Sequence, residues 1–137
     1  MDLLEQLGRT INQNLTSLPA DLKLGYVDPD HGKPFSMYAN PGSRVISSDF
    51  DGTQVKELPF EVALATNQLS QGDGVMWKIS TYLDNLTHLD TDGTYTVEKI
   101  EIQPQPFLSM IDEKGRGMFL LDFTVQIATK RNQGDLN

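Results

Sequence analysis

The clearest strand in this sequence is MFLLDFTVQIA, residues 118–128. Five large apolar side chains alternate along it with a set that is mostly polar, and a period of two is typical of a strand with one face buried. The segment FLSMI, residues 107–111, precedes it, and residues 112–117 between them, DEKGRG, have the composition of a turn. The sequence therefore predicts a closing β-hairpin. Its predicted inward side chains are Phe119, Leu121, Phe123, Val125 and Ile127.

Two segments have the three- and four-residue spacing of amphipathic helices. Residues 3–18 carry one apolar stripe, and Asp2 is placed as the N-cap of this helix. Residues 74–86, GVMWKISTYLDNL, carry a second stripe, with Asp73 placed to cap it and residues 67–74 predicted as a loop. The stripes comprise Leu3, Leu4, Leu7, Ile11, Leu15 and Leu18 in the first helix and Met76, Ile79, Leu83 and Leu86 in the second.

Shorter segments of strand character fill the remainder of the chain. Asp51-Gly52 separates a strand that begins at Val45 from residues 55–66, and this dipeptide predicts a hairpin. Pro59 interrupts the second arm and indicates an edge strand or a bulge, because proline donates no hydrogen bond to a ladder. Further strands are predicted near residues 22–26, 35–39 and 95–102.

These elements predict one α+β domain over residues 1–137, in which a mostly antiparallel sheet packs against two helices. The predicted order is α-β-β-β-α-β-β. Residues 130–137 are polar, and we expect them to form a flexible C-terminal tail.

The composition excludes several classes of protein. A hydrophobic fraction of 38% with 22% charged residues is typical of a globular chain. The absence of cysteine excludes a disulfide framework, and we find neither a membrane-spanning apolar run nor the start of a signal peptide, so we expect a soluble protein kept in a cytoplasm. A net charge of −8 and a pI of about 4.5 argue against wrapping of nucleic acid, although an acidic surface also suits DNA that must slide past without sticking.

The residue types that carry catalysis do not gather in this sequence. His31 and His88 lie in separate predicted turns without other nitrogen or sulfur ligands nearby. Three Asp-Gly turns, at residues 28–32, 49–52 and 90–93, resemble calcium loops, but none completes the pattern of ligands that such a loop needs. The P-loop, nucleophile-elbow and dinucleotide-binding motifs are also missing. We therefore predict no catalytic, cofactor-binding or metal-binding residues and a protein that is not an enzyme.

Two predicted hairpins present side chains suited to contacts with other subunits. One carries Arg44 and Phe50 among small polar residues, and the turn before the last strand carries Lys114 and Arg116. Tyr38 is a further candidate, since aromatic residues and arginine are enriched at interfaces. We predict these five residues as oligomer or partner contacts. The alternative is that each hairpin ends in an ordinary solvated turn.

The chain resembles the small minor capsid proteins of tailed bacteriophages, of the tail terminator type found in long-tailed siphophages. The resemblance rests on the helix at residues 3–18, the strand LPFEVALAT at 58–66, the helix at 74–86 and the closing pair at 105–127. It implies a structural virion protein, assembled in the bacterial host cytoplasm, that forms a hexameric ring over the finished tail tube at the head–tail junction. The implied partners are further copies of the chain, the major tail tube protein and a head connector or stopper protein. DNA would pass through such a ring without specific binding, and no membrane, cofactor or catalytic residue is implied.

Two other functions fit the same residues. The chain could be another neck or head-completion protein of the same virion. It could also be a small ion- or ligand-binding α+β module that uses the Asp-rich turns.

Overall fold

Two long antiparallel strands form the centre of the molecule in the computed structural model, which describes residues 1–102 and 105–130. They pair over 14 residues each, from Thr53 opposite Lys130 to Thr66 opposite Gly117. The other elements are arranged around this pair. In chain order the elements are α1 (Leu3–Asn14), β1 (Lys23–Leu24), a short 3-10 helix (Pro29–His31), β2 (Phe35–Ala39), β3 (Arg44–Ser48), β4 (Thr53–Thr66), α2 (Leu69–Asp84), β5 (Tyr95–Ile102), β6 (Phe107–Ile111) and β7 (Gly117–Lys130).

Four outer strands pair with the two long central strands, two with each. Strands β2 and β3 pair with opposite ends of β4, and β5 and β6 pair with opposite ends of β7. Because β4 and β7 lie between them, β3 and β6 are on opposite edges of the seven-stranded sheet. All described strand pairs are antiparallel except β1 with β2. The predicted α+β class and the order of a helix, strands, a helix and strands are confirmed, with four strands before α2 and three after it.

The core lies between one face of the sheet and the two helices. The alternation in residues 118–128 is confirmed, because the five predicted inward side chains of β7 are at most 4% exposed. Phe60 of β4 stacks on Phe123 of β7 with ring centroids 5.6 Å apart. Burying each such large apolar side chain contributes about 1.5–3 kcal/mol. From the helices, the same cluster receives Leu3, Leu7 and Ile11 of α1 and Val75, Met76, Ile79 and Leu83 of α2.

Helix α1 is shorter than its apolar stripe. It ends at Asn14, and Ser17 adopts a left-handed backbone angle, φ 63°, although Leu15 and Leu18 still pack against the core. Asp2 is the N-cap residue, as predicted, but its carboxylate makes no capping hydrogen bond to the helix backbone. The Asp2 carboxylate accepts hydrogen bonds from Gln6 Nε2 at 2.8 Å and Tyr95 Oη at 2.7 Å, and so ties α1 to β5.

Helix α2 begins at Leu69, so the prediction of a loop is wrong for residues 69–74, and Asp73 lies inside the helix and is not its N-cap. Both glycines of this segment, Gly72 and Gly74, lie in the helix. Gly72 is buried, and a Cβ atom on it would lie 2.5 Å from the Phe119 ring and 2.9 Å from Thr66 Cγ2. Glycine at this position therefore allows the first turn of α2 to approach the sheet closely, which is a packing requirement and not a turn requirement.

Pro59 lies in an interior strand and not at an edge. The Pro59 carbonyl accepts a hydrogen bond from Asn40 N at 2.9 Å, which places its backbone polar groups on the side of β4 that faces β2 and β3. The ladders to those strands end at Phe60 and Glu57, so the missing N–H falls between them. A proline is tolerated there because no ladder bond is lost.

The predicted single domain and its flexible tail stay predictions. Lys130 pairs with Thr53 as the last residue of β7, and residues 131–137 of the predicted tail lie outside the described residues.

Candidate assembly surface

The turn between β3 and β4 holds one aromatic side chain fully in solvent. Phe50 at its tip has a relative exposure of 113%. Hydrogen bonds order the turn, from Asp49 N to Thr53 O at 2.8 Å, from Gly52 N to Asp49 O at 3.1 Å and from Thr53 N to Asp51 Oδ1 at 2.9 Å. If a partner buries such a large apolar side chain, the burial contributes about 1.5–3 kcal/mol to the free energy of association.

Strand β3 continues this surface away from the tip. Val45 is 50% exposed and Ile46 is 41% exposed. Together with Phe50 they form what we call the β3 patch. Arg44, at the far end of the strand, pairs with Glu57 of β4 at 3.3 Å. Because this ion pair is largely exposed, it contributes only about 0–1 kcal/mol, and the Arg44 guanidinium keeps donors for other contacts.

The turn between β6 and β7 is organised by one carboxylate. Asp112 Oδ1 accepts hydrogen bonds from the backbone N–H groups of Lys114 and Arg116, both at 2.9 Å. Arg116 Nε donates to Asp112 Oδ2 at 2.8 Å. These contacts close the turn without any other element.

The same turn is attached to the 3-10 helix that precedes β2. Lys114 Nζ lies 2.8 Å and Arg116 Nη1 3.1 Å from Asp30 Oδ1. Their hydrogen bonds lower the pKa of Asp30 to about 2, with Lys114 the larger cause. The two cations that the sequence placed at a free tip are therefore paired within their own chain, so any partner must share them with Asp30.

Tyr38 lies on the sheet face opposite the helices, among other polar groups. Its ring centroid is 4.9 Å from that of Tyr26, and its hydroxyl donates to Glu61 Oε1. Glu61 is directly opposite Asp122 in the β4–β7 ladder. Partial burial, and then the neighbouring Glu61 carboxylate, raise the pKa of Asp122 to about 7. The structure thus does not bring Tyr38 together with the two hairpin tips.

Strand β6 exposes an apolar surface that sequence reasoning missed. Its four large side chains form what we call the β6 patch. The signal was present in FLSMI, because apolar residues on both faces of a strand usually indicate burial on both faces. Here the described part of the chain covers only about half of each of these side chains. The exposed fractions are 43% for Phe107, 42% for Leu108, 55% for Met110 and 54% for Ile111.

The Asp-rich turns use their carboxylates locally. Asp28 accepts from the His31 ring at 3.0 Å, Asp51 from Thr53 N and Asp92 from Thr94 N, both at 2.9 Å. Within residues 1–102 and 105–130, no three His, Cys, Asp or Glu side chains lie together as a metal site would require. In the same residues, no helix has the length and apolar character needed to cross a membrane.

A family model described as bacteriophage tail terminator protein matches residues 11–129 of this chain. The chain belongs to the bacteriophage tail terminator family. No curated protein matches the chain. The resemblance drawn from the sequence is thus confirmed. This family consists of structural phage proteins, so the chain is a structural protein of the phage tail end.

The matched region of this tail terminator contains every surface described above. It begins within α1 and ends one residue before the end of β7, and it includes both hairpin turns, the β3 patch and the β6 patch. The surfaces therefore belong to the family domain itself and not to an added segment.

Proposed function

We propose that this tail terminator caps the finished tail tube as a ring of six copies at the head–tail junction of a siphophage virion, and that the ring is the docking surface for the head. The observation that carries the proposal is the match of residues 11–129 to the tail terminator family. The proposed partners are other copies of the chain, the major tail tube protein and a head connector or stopper protein. Assembly takes place in the cytoplasm of the bacterial host.

The distribution of exposed groups supports a ring. A closed ring needs heterologous contacts, in which two different surfaces of the same chain meet. The turn with Phe50 and the turn with Lys114 and Arg116 lie at opposite ends of the β4–β7 pair and on opposite sheet edges. With Arg44 and Tyr38, these are the residues we propose for contacts between copies or with the tube and the head.

The charge of the chain supports passage of DNA without specific binding. Six copies carry six times −8, or −48 charges. Such a ring repels phosphate groups, which lowers the affinity of DNA for the walls of a channel.

Light scattering behind size exclusion tests the ring, with the protein alone and after incubation with tubes assembled from the major tail protein. We expect a species of six times 15.3 kDa, about 92 kDa, or binding of the chain to the tube end in electron micrographs. A monomer that also ignores the tubes would contradict the proposal. Binding to the head connector but not to the tube would favour the head-completion alternative.

A further inference from the structure

Two strands of this chain are exposed along their whole length. Among the strands of residues 1–102 and 105–130, only β3 and β6 are exposed at every residue, and each has five residues. Each pairs with a single long strand, β3 with β4 and β6 with β7, so each also has a free outer edge. An edge strand presents unpaired backbone groups, and exposed apolar side chains beside them promote association.

The two patches on these strands offer equal apolar areas. Taking about 200 Å² for a large side chain, the exposed fractions amount to roughly 400 Å² on the β3 patch and roughly 400 Å² on the β6 patch. The β6 side chains are divided between the two faces of the sheet, Leu108 and Ile111 on the face of Phe119, and Phe107 and Met110 on the other. A neighbour that covers one face buries about half of the β6 patch, so the contact would remove roughly 600 Å² from water, more than a third of a standard protein–protein interface. The polar residues beside the two patches would supply the rest of the buried interface area.

The placement of the patches favours contact between different copies. They lie on opposite edges of one sheet, so they never meet within a chain. A copy that presents both patches can bind one neighbour through each, so that in a closed ring neither β3 nor β6 stays uncovered.

We propose that the β3 patch of one copy packs on the β6 patch of the next copy; this inference rests on the ring proposed above and names the contact that closes it. The contact is made by side chains. Both strands are bulged, between Val45 and Ser47 and between Leu108 and Met110, and a bulge interrupts a regular backbone ladder. Phe50, which projects beyond the end of β3, is the largest anchor.

Two single substitutions test the contact. Phe50→Glu places a charge in the β3 patch, and Met110→Glu places one in the β6 patch. Both side chains are exposed, at 113% and 55%, so each variant should keep the melting temperature of the monomer. We expect each to raise the protein concentration needed for assembly at least about tenfold, as the loss of an interface anchor does. Trp77→Glu is the matched control, since Trp77 is 43% exposed but lies on α2, outside both patches.

Mixing the two variants identifies the pairing. A Phe50→Glu copy keeps its β6 patch and a Met110→Glu copy keeps its β3 patch, so one good contact remains between them. We expect each variant alone to be a monomer and the mixture to give a dimer of twice 15.3 kDa, about 31 kDa. A Phe50→Glu variant that dimerises alone would indicate β6 with β6, and a Met110→Glu variant that dimerises alone would indicate β3 with β3. Either result overturns the proposal.

The outcomes separate this inference from the proposed function. All samples are measured by light scattering with and without tubes of the major tail protein. The proposed contact is wrong if the wild type forms rings and both variants assemble as well as the wild type does. It is also wrong if Trp77→Glu disrupts assembly as strongly as the two variants do. In either case the proposed ring itself is not contradicted. If the wild type neither assembles nor binds the tubes, the proposed function itself fails.

Discussion

Replacing Gly72 by alanine tests whether close approach, and not turn formation, is the reason for that glycine. The added Cβ would lie 2.5 Å and 2.6 Å from two atoms of the Phe119 ring and 2.9 Å from Thr66 Cγ2. Phe119 is 4% exposed in the core, so its ring has little room to move away. Such overpacking costs about 1–3 kcal/mol, against a gain of about 0.5–1 kcal/mol from alanine in a helix.

Gly74→Ala is the matched control in the same helix. A Cβ there would meet no atom within 4 Å, so only the helix propensity changes. We expect Gly74→Ala to stabilise the protein by about 0.5–1 kcal/mol and Gly72→Ala to destabilise it by about 1–2 kcal/mol. For a chain of this size the melting temperatures of the two variants should then differ by roughly 6–15 °C.

The assay is thermal unfolding by circular dichroism at one fixed protein concentration, because assembly also shifts the melting temperature. Phe119→Leu in the same background provides a second test, since a smaller side chain leaves room for the Cβ. We expect Gly72→Ala to lower the free energy of unfolding by less in the Phe119→Leu background, because residues in contact are energetically coupled. Equal melting temperatures for the two glycine variants would refute the packing explanation.

Three further predictions concern the polar groups. Because the pKa of Asp122 is raised to about 7 in the folded protein, the folded state binds the proton more tightly than the unfolded state, and stability falls as pH rises from about 4 to 7. Asp122→Asn, which keeps the shape beside Glu61, should therefore stabilise the protein by about 1 kcal/mol at pH 8, after allowance for solvent screening of this partly exposed group, and by less at pH 5. If Asp122→Asn raised the melting temperature equally at pH 5 and pH 8, the raised pKa of Asp122 would not be the cause. Asp112→Ala should lower the melting temperature because it removes the acceptor of three hydrogen bonds in its turn, whereas Glu113→Ala in the same turn should not; equal losses would mean that the turn does not depend on that carboxylate. Millimolar calcium should leave Trp77 fluorescence unchanged, since the Asp-rich turns use their carboxylates locally; a saturable change would revive the ion-binding alternative.

The fold class could be predicted because it depends on local periodicity. The alternation in residues 118–128 and the stripe in residues 3–18 each identify an element from consecutive side chains. The same reasoning failed at residues 69–74, which were predicted as a loop and form the start of α2. Gly72 is required by Phe119, which lies 47 positions later in the chain, and no local pattern contains that information.

The exposure of two candidate residues could be predicted, while their role as contacts between copies or with partners stays a prediction. Phe50 and Arg44 were identified as exposed hairpin residues, and the structure places them so. The exposure of the β6 patch was missed, because the apolar residues of a strand do not by themselves show whether another element covers them. Lys114 and Arg116 were expected at a free tip, but Asp30 binds both.

By itself, the sequence of this tail terminator determined the type and order of most helices and strands, the inward side chains of the last strand, and the family that the chain resembles. These properties follow from the order of apolar and polar residues along the chain. Tertiary structure alone decided that β3 and β6 lie on opposite sides of the β4–β7 pair with partly exposed apolar side chains, and that a buried glycine allows α2 to pack closely on the sheet. Both depend on which distant segments become neighbours, and that is determined by the packing of the whole chain.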